Sequence, residues 1–265
     1  MYQRRVVAFL DVLGFGDAIK STLDLQGKEV RSETNKIARL VKIFGEFAQE
    51  QNKAEFNRSV RVTQFSDSLV ISFKINEESQ VFYILLNILH LTIQAIGIGF
   101  FIRGGITVGL VTHTKKAVFG PAMVEAYRLE SQKAKFPRVL LSEEIFKIAA
   151  KYPSSHGSHE ELKYIEQLVK QDDDGLWYLD FFEPAFSELN DNIEEAPLYM
   201  STIHKLITKG LQSSSKSVVE KYEWLKAKYS IVHQELTSDQ SIEGWGKINQ
   251  DVQDAFIALR DGYRF

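Results

Sequence analysis

Two kinds of apolar pattern alternate along residues 6–113. Short runs rich in β-branched residues predict strands over 6–13 (VVAFLDVL), 59–65 (SVRVTQF), 68–74 (SLVISFK) and 102–113 (IRGGITVGLVTH). Apolar positions at helical spacing predict one long helix from Asp17 to Gln51, with a loop considered at 24–28, and a second from Glu77 to Gly97. Ser66-Asp67 separates the second and third strands as a hairpin turn.

The order strand, helix, strand, strand, helix, strand is that of the ferredoxin-like βαββαβ fold, an α+β sandwich. In this arrangement the first strand lies beside the hairpin in one sheet, with both helices on one face. Asp11 on the first strand and Asp67 at the hairpin turn are therefore expected side by side at one edge of the sheet.

The pattern changes character along the rest of the chain. Residues 118–134 read as a helix and 136–142 as a strand, after which Ser142 is expected to cap a further helix. Asp172-Asp173-Asp174-Gly175 indicates a hairpin with a solvated acidic turn in preference to a metal site. Beyond Pro184, helices are predicted over 198–211 and 216–236. We therefore expect two domains, an α+β domain at 1–185 and a C-terminal helical extension at 186–265.

Composition narrows the class of protein. The chain is 44% hydrophobic, which is ordinary for a globular protein. It contains no cysteine, which excludes disulfides and thiolate chemistry. Its net charge of −3 gives no basic field for binding nucleic acid. Asp11 interrupts the N-terminal apolar run, so we expect no cleaved signal peptide. Residues 82–102 contain Asn87, His90 and Gln94 and are expected to be a buried helix followed by a strand, without a membrane span. A cytoplasmic location fits these features.

Two carboxylates on adjacent strand ends repel each other unless a cation lies between them. Oxygen ligands suit Mg²⁺ or Mn²⁺, and a pair of such ions can hold a triphosphate. The Gly14-Phe15-Gly16 turn follows Asp11 directly and exposes backbone N–H groups to phosphate. Either aspartate alone is more often an ordinary strand-end residue; the pair suggests a site.

Four motifs in register resemble the class III nucleotidyl cyclases over about residues 5–185. Phe9-x-Asp11-x-x-Gly14-Phe15 resembles their opening motif, and Ser66-Asp67 resembles their second metal-binding aspartate. IRGGITVGLV (102–111) resembles their fourth core strand. FGPAMVEAYRLES (119–131) resembles the segment that carries their transition-state arginine.

The resemblance implies a role for each matching position. Asp11, Val12 and Asp67 would bind two divalent metal ions, Mg²⁺ or Mn²⁺. The backbone of five consecutive residues would bind the β- and γ-phosphates: Val12, Leu13, Gly14, Phe15 and Gly16. Arg103 would contact phosphate or form a structural salt bridge. Arg128 would stabilise the transition state from the partner subunit of a homodimer with sites at the interface.

Three positions depart from the family pattern. Val124 replaces a ribose-binding asparagine, while Thr63 and Ala117 stand where adenylyl cyclases have the lysine and aspartate that read the purine. The pattern of these three departures, together with the motifs A-Y-R-L-E-S, F-P-R-V and K-Y-E-W-L, resembles the pyrimidine cyclases of bacterial anti-phage signalling. That resemblance implies a cyclase converting UTP, favoured over CTP, to the 3′,5′-cyclic monophosphate that activates a separate effector. The alternatives are a purine cyclase, an inactive cyclase-fold module that binds a nucleotide or partner, and a scaffold protein.

Overall fold

In the computed structural model of the chain, residues 1–53, 59–189 and 195–265 are described. The chain divides into two compact units, Met1–Asp180 and Phe181–Phe265. The domain assignment with a boundary at 185/186 stays a prediction.

The described part of the first unit contains one mixed sheet of eight strands. The strands are β1 (Gln3–Val12), β2 (Arg61–Phe65), β3 (Ser68–Lys74), β4 (Ile102–His113), β5 (Val118–Phe119), β6 (Val139–Leu141), β7 (Val169–Gln171) and β8 (Trp177–Leu179). Their order is β2-β3-β1-β4-β6-β8-β7, and β5 pairs with β4 outside this path.

The first four strands confirm the predicted ferredoxin-like core. The order β2-β3-β1-β4, with every neighbouring pair antiparallel, is the arrangement that two interleaved βαβ units produce. The predicted bounds of β4 agree with the structure. β6 pairs parallel with β4 and extends the sheet beyond the ferredoxin-like core.

The helices of the first unit differ from prediction at several ends. They are α1 (Phe15–Lys20), α2 (Arg31–Lys53), α3 (Gln80–Gly97), α4 (Pro121–Arg128), a π-helix (Leu129–Lys133), α5 (Glu144–Lys151) and α6 (Ser158–Leu168). The prediction of one continuous helix over 17–51 is wrong, because α1 ends before Ser21 and α2 begins at Arg31, but the loop considered at 24–28 is present within this interruption. Gly27, with φ of 75°, supports the intervening turn.

Two smaller expectations also differ from the structure. Ser142 does not cap α5 through its side chain, and its Oγ has no hydrogen-bond partner among the described residues; its backbone carbonyl accepts from Ile145 N–H instead. The hairpin around the Asp172–Gly175 turn is present but short, because α6 extends to Leu168 and leaves only Val169–Gln171 for its first strand.

The two faces of the core sheet have different coverings. Gln64 donates to the backbone carbonyl of Val41 at 3.3 Å, which places α2 on the face opposite Thr63. On Thr63's face, α4 lies directly on β4. A Cβ atom added at Gly105 would come within 2.4 Å of Leu129 Cβ, and one added at Gly109 within 3.1 Å of Ala122 Cβ. The glycines of β4 thus allow α4 and the π-helix to approach the sheet closely.

Among the described residues, α3 is the one helix long and apolar enough to meet the length and hydropathy of a membrane span. Ten of its residues are nevertheless buried in the fold, including Leu85 and Ile88 at 0% exposure. This is the burial expected of a core helix.

The second unit is helical where it is described. Its helices are α7 (Glu183–Glu188), α8 (Glu195–Leu211), α9 (Lys216–Leu236), α10 (Asp239–Ile248) and α11 (Gln250–Gly262). The predicted bounds of α9 agree with the structure. Tyr229, fully buried, donates from its hydroxyl to the backbone carbonyl of Tyr263 at 3.1 Å and joins α9 to the residues after α11.

Candidate active site

Asp11 lies near the carboxyl end of β1, where the strand reaches the edge of the core. Its register partner on β4 is Arg103. The Ser68 hydroxyl donates to Asp11 Oδ1 at 2.9 Å, and Arg103 Nη2 lies 3.8 Å from Asp11 Oδ2. The side chain remains 25% exposed, so one edge of the carboxylate is open to solvent.

Asp67 occupies the tip of the β2–β3 hairpin, next to Ser66 in the left-handed conformation with φ of 54°. Burial raises the pKa of Asp11, and the charge of Asp67 raises it further, while Ser68 and Arg103 lower it. Ser68, which donates to Asp11, directly follows Asp67 in the chain, so the two aspartates lie at the same edge of the sheet. The fold brings together the two aspartates that the sequence placed at one edge.

The turn after β1 provides backbone groups beside Asp11. Gly14 has φ of 76°, a conformation that favours glycine, and α1 begins at the next residue. Gly14 and Gly16 are exposed, whereas Val12 is buried, so only the backbone of Val12 is able to contact a ligand.

The oxygen donors at this edge fit Mg²⁺ or Mn²⁺. Two carboxylates and a backbone carbonyl are hard ligands, and Mg²⁺ is commonly held by one or two carboxylates together with substrate phosphates and water. The described residues contain no group of three or more His, Cys, Asp or Glu side chains placed to hold a metal ion. The protein would therefore leave several coordination positions to the substrate and solvent.

Arg103 is shared between two carboxylates. Its Nη2 forms an ion pair with Glu130 Oε1 in addition to the longer approach to Asp11. Glu130 is 2% exposed, and burial is the main cause of its raised pKa. Of the two roles considered for Arg103, the structure contains the salt bridge. A contact between Arg103 and phosphate stays a prediction.

Arg128 is the last residue of α4, and its side chain is partly exposed. Its Nε and Nη2 donate to the two carboxylate oxygens of Glu125 at 2.8 and 2.6 Å, one turn earlier in the same helix. The Arg128 side chain is 41% exposed. Val124 is 66% exposed and presents an apolar side chain beside this pair.

Thr63 belongs to a chain of hydrogen bonds that crosses the same face of the sheet. Thr63 Oγ1 lies 2.8 Å from His113 Nε2, and Ser72 Oγ lies 2.9 Å from His113 Nδ1. The buried Arg5 donates from Nε to Ser72 Oγ at 2.9 Å. Burial and the charges of Arg5 and Arg61 lower the pKa of His113 to about 4, so the imidazole is neutral at pH 7.

A cleft of about 460 Å³ opens beside Arg5 and His113, and Arg61 and Lys74 also line it. Ala117 is exposed and directly precedes Val118, the register partner of His113. The positions that the resemblance assigns to base reading, 63 and 117, therefore both adjoin His113.

Sequence reasoning missed Glu130, His113 and one buried cation. Arg138 is fully buried and pairs with Asp172 and Asp174, so the acidic turn is not simply solvated as expected. For Glu130 a signal was present. Ala122, Ala126 and Glu130 recur at four-residue spacing, which places the carboxylate on the buried face of the helix.

No family model matches the chain, and no curated protein matches it. Among solved structures, the adenylyl cyclase CyaB from P. aeruginosa is 13% identical, with 68% of this chain and 95% of that chain covered and a TM-score of 0.43. The monomeric guanylyl cyclase domain of the RhoGC fusion protein from Blastocladiella emersonii is 14% identical, with coverages of 67% and 95% and a TM-score of 0.42.

A class III adenylyl cyclase-like ATP-binding protein from Pseudomonas aeruginosa is 13% identical, with 71% of this chain and 40% of that chain covered and a TM-score of 0.44. At identities of 13–14% these similarities concern the fold alone.

Proposed function

We propose that this protein is a nucleotidyl cyclase that converts a pyrimidine nucleoside triphosphate, UTP in preference to CTP, to the 3′,5′-cyclic monophosphate and pyrophosphate. The observation that carries the proposal is the placement of Asp11 and Asp67 at one open sheet edge beside the Gly14 turn, where Ser68, the residue after Asp67, donates to the Asp11 carboxylate. Such a pair is costly to maintain without a cation.

In the proposed reaction the ribose 3′ oxygen attacks the α-phosphorus. The bond from O3′ to the α-phosphorus forms, the bond to the β-phosphate oxygen breaks, and the hydroxyl proton passes to solvent. Asp11, Asp67 and the Val12 carbonyl would hold two divalent ions, Mg²⁺ or Mn²⁺. When bound, such ions lower the pKa of the attacking hydroxyl and balance charge on the leaving pyrophosphate. The backbone of residues 12–16 would orient the β- and γ-phosphates.

Arg128 would act across the interface of a homodimer. Its guanidinium would release the Glu125 carboxylate and donate instead to the oxygens of the leaving pyrophosphate. An arginine positioned there stabilises the negative charge that develops in the transition state. Phe119, Val124 and Tyr127 are each more than half exposed around this helix. Large exposed apolar side chains of this kind favour association with another protein surface, here a second copy of the chain.

The preference for UTP follows from the direction of the hydrogen bonds at Thr63. We propose the tautomer in which Ser72 Oγ, which accepts from Arg5, donates to His113 Nδ1 while His113 Nε2–H donates to Thr63 Oγ1. The Thr63 proton is then left to donate outward. A hydroxyl donor suits the O4 acceptor of uracil, whereas cytosine presents an amino donor at that position.

The biological role is proposed from the sequence resemblance. A cytoplasmic cyclase of this type would produce a cyclic pyrimidine nucleotide during phage infection, and that product would activate a separate effector protein. We propose no direct contact with nucleic acid and no membrane span.

Two observations favour a second function, nucleotide binding without turnover. Val124 offers no polar group to a ribose, and Arg128 is occupied by Glu125. A purine cyclase with different base contacts is the other alternative.

Incubation of the pure full-length chain with Mn²⁺ and each of ATP, GTP, CTP and UTP, with products identified by mass, distinguishes the three. We expect cyclic UMP to exceed cyclic CMP and no cyclic purine nucleotide. A cyclic purine product contradicts the base assignment. Saturable binding of a nucleotide without any product, at every divalent ion tried, supports the binding module.

A further inference from the structure

Glu130 reaches the candidate metal edge because of how the π-helix sits on β4. Ala122 and Ala126 face the sheet, and Glu130 continues that buried face. Gly105 has no side chain, and a Cβ there would meet Leu129 Cβ at 2.4 Å and Glu130 N at 3.2 Å. The π-helix therefore lies against β4, two residues from Arg103.

The carboxylate of Glu130 is paired with Arg103 in a nearly solvent-free position. Arg103 is the one cation that pairs with Glu130 among the described residues, and the side chain of Glu130 is 3% exposed. The same Nη2 atom of Arg103 lies 3.8 Å from Asp11 Oδ2, farther than a normal hydrogen bond. Arg103 is thus held mainly by Glu130 and only loosely by Asp11.

We propose that Glu130 is a positioning residue for the metal edge, because it neutralises Arg103 and keeps that cation from pairing fully with Asp11. The inference rests on the proposed function, in which Asp11 is a metal ligand. Without the Glu130 charge, Arg103 would turn its charge to Asp11 and compete with a divalent ion for the carboxylate. The loss of the negative charge of Glu130 would also weaken the electrostatic attraction of a divalent ion to this edge. Outer-sphere partners of metal ligands commonly change metal affinity by about 10- to 100-fold.

The test measures Mn²⁺ binding to the full-length chain without nucleotide, by the electron paramagnetic resonance signal of free Mn²⁺. Glu130→Gln should weaken Mn²⁺ binding about 10-fold relative to the wild type. The matched control is Glu125→Gln, which removes the same charge five residues earlier and should change affinity about twofold or less, since exposed charges are screened. Thermal melting of each variant reports whether the fold is retained.

The double variant Arg103→Gln with Glu130→Gln separates positioning from a purely structural role. It replaces the buried ion pair by two neutral amides, so that neither residue is left as an uncompensated buried charge. With the competing cation gone, Mn²⁺ affinity should return to within about threefold of the wild type, as a coupled pair requires. Equal affinity of Glu130→Gln and wild type, or a double variant as weak as the single one, overturns the proposal.

The metal site itself is checked separately by Asp67→Asn. If wild type and Asp67→Asn bind Mn²⁺ alike, the two-carboxylate site of the proposed function fails, and the role of Glu130 fails with it. If Asp67→Asn abolishes binding while Glu130→Gln leaves it unchanged, only the role of Glu130 is overturned.

Discussion

Replacing Gly105 by alanine is a direct test of how α4 and the π-helix are seated on β4. The added Cβ would lie 2.4 Å from Leu129 Cβ and 2.6 Å from the Ala126 carbonyl oxygen. Carbon atoms pack at about 3.5–4.0 Å, so the helix must move by about 1 Å. Neither neighbour is the mobile end of a side chain, and a rotamer change cannot relieve the contact.

The expected cost is about 3 kcal/mol, the upper end of the range for overpacked cores. Gly109→Ala is the matched control on the same strand. Its Cβ would lie 3.1 Å from Ala122 Cβ, a contact relieved by a few tenths of an ångström. The lower backbone entropy of alanine offsets part of that strain, so we expect a change of about 1 kcal/mol or less.

Urea unfolding measures both variants. Trp177 is the tryptophan of the first unit, while Trp224 and Trp245 belong to the second. In a background with Trp224→Phe and Trp245→Phe, Trp177 fluorescence reports the first unit alone, which keeps the analysis close to two-state. Equal stability of the Gly105→Ala and Gly109→Ala proteins would refute this packing and the placement of Glu130 that depends on it.

Three further changes probe other parts of the molecule. Arg138→Met removes the buried cation that pairs with Asp172 and should destabilise the first unit by about 3 kcal/mol in urea unfolding; an unchanged midpoint would contradict the buried pair. Because the pKa of His113 is lowered to about 4, the unfolded chain binds the proton more readily, so stability should fall as pH decreases from about 6.5 to 4. His113→Gln should make that fall shallower, measured by urea midpoints at pH 7 and 5, and an identical slope would argue against a neutral buried imidazole. An equimolar mixture of Asp11→Ala and Arg128→Ala chains should recover about a quarter of wild-type cyclase activity if subunits share each site; no recovery despite demonstrated subunit exchange would argue against shared sites.

The strands of the core were predictable because their patterns are local. β-branched runs and the two-residue hairpin turn defined β1 to β4, and the topology then placed Asp11 and Asp67 at one edge. The long helix over 17–51 was wrong because the turn that divides it contains a single glycine, Gly27, and no proline. The loop considered at 24–28 lies within that interruption, but helical periodicity alone did not show that the helix ends on both sides of it.

The charged contacts around the site depend on tertiary packing and could not be read from local patterns. Arg103 and Glu130 lie on different elements and meet only because Gly105 allows the π-helix to approach the sheet. Thr63 and His113 lie on β2 and β4, which two other strands separate, and they meet across the face of the sheet. Glu130 is a charged residue at the spacing of a buried helical face. A charge at such a position is the sequence feature that indicates an oppositely charged partner on another element.

The most direct test of the central proposal compares cyclic nucleotide formation from UTP by the wild type, Asp67→Asn and Asp17→Asn in the presence of Mn²⁺. Asp17 is exposed on α1, so its variant controls for loss of one nearby carboxylate. We predict that the wild type and Asp17→Asn each form one pyrophosphate per cyclic UMP and do so at similar rates. A folded Asp67→Asn protein should form no product. Undiminished product from Asp67→Asn would contradict the two-carboxylate site.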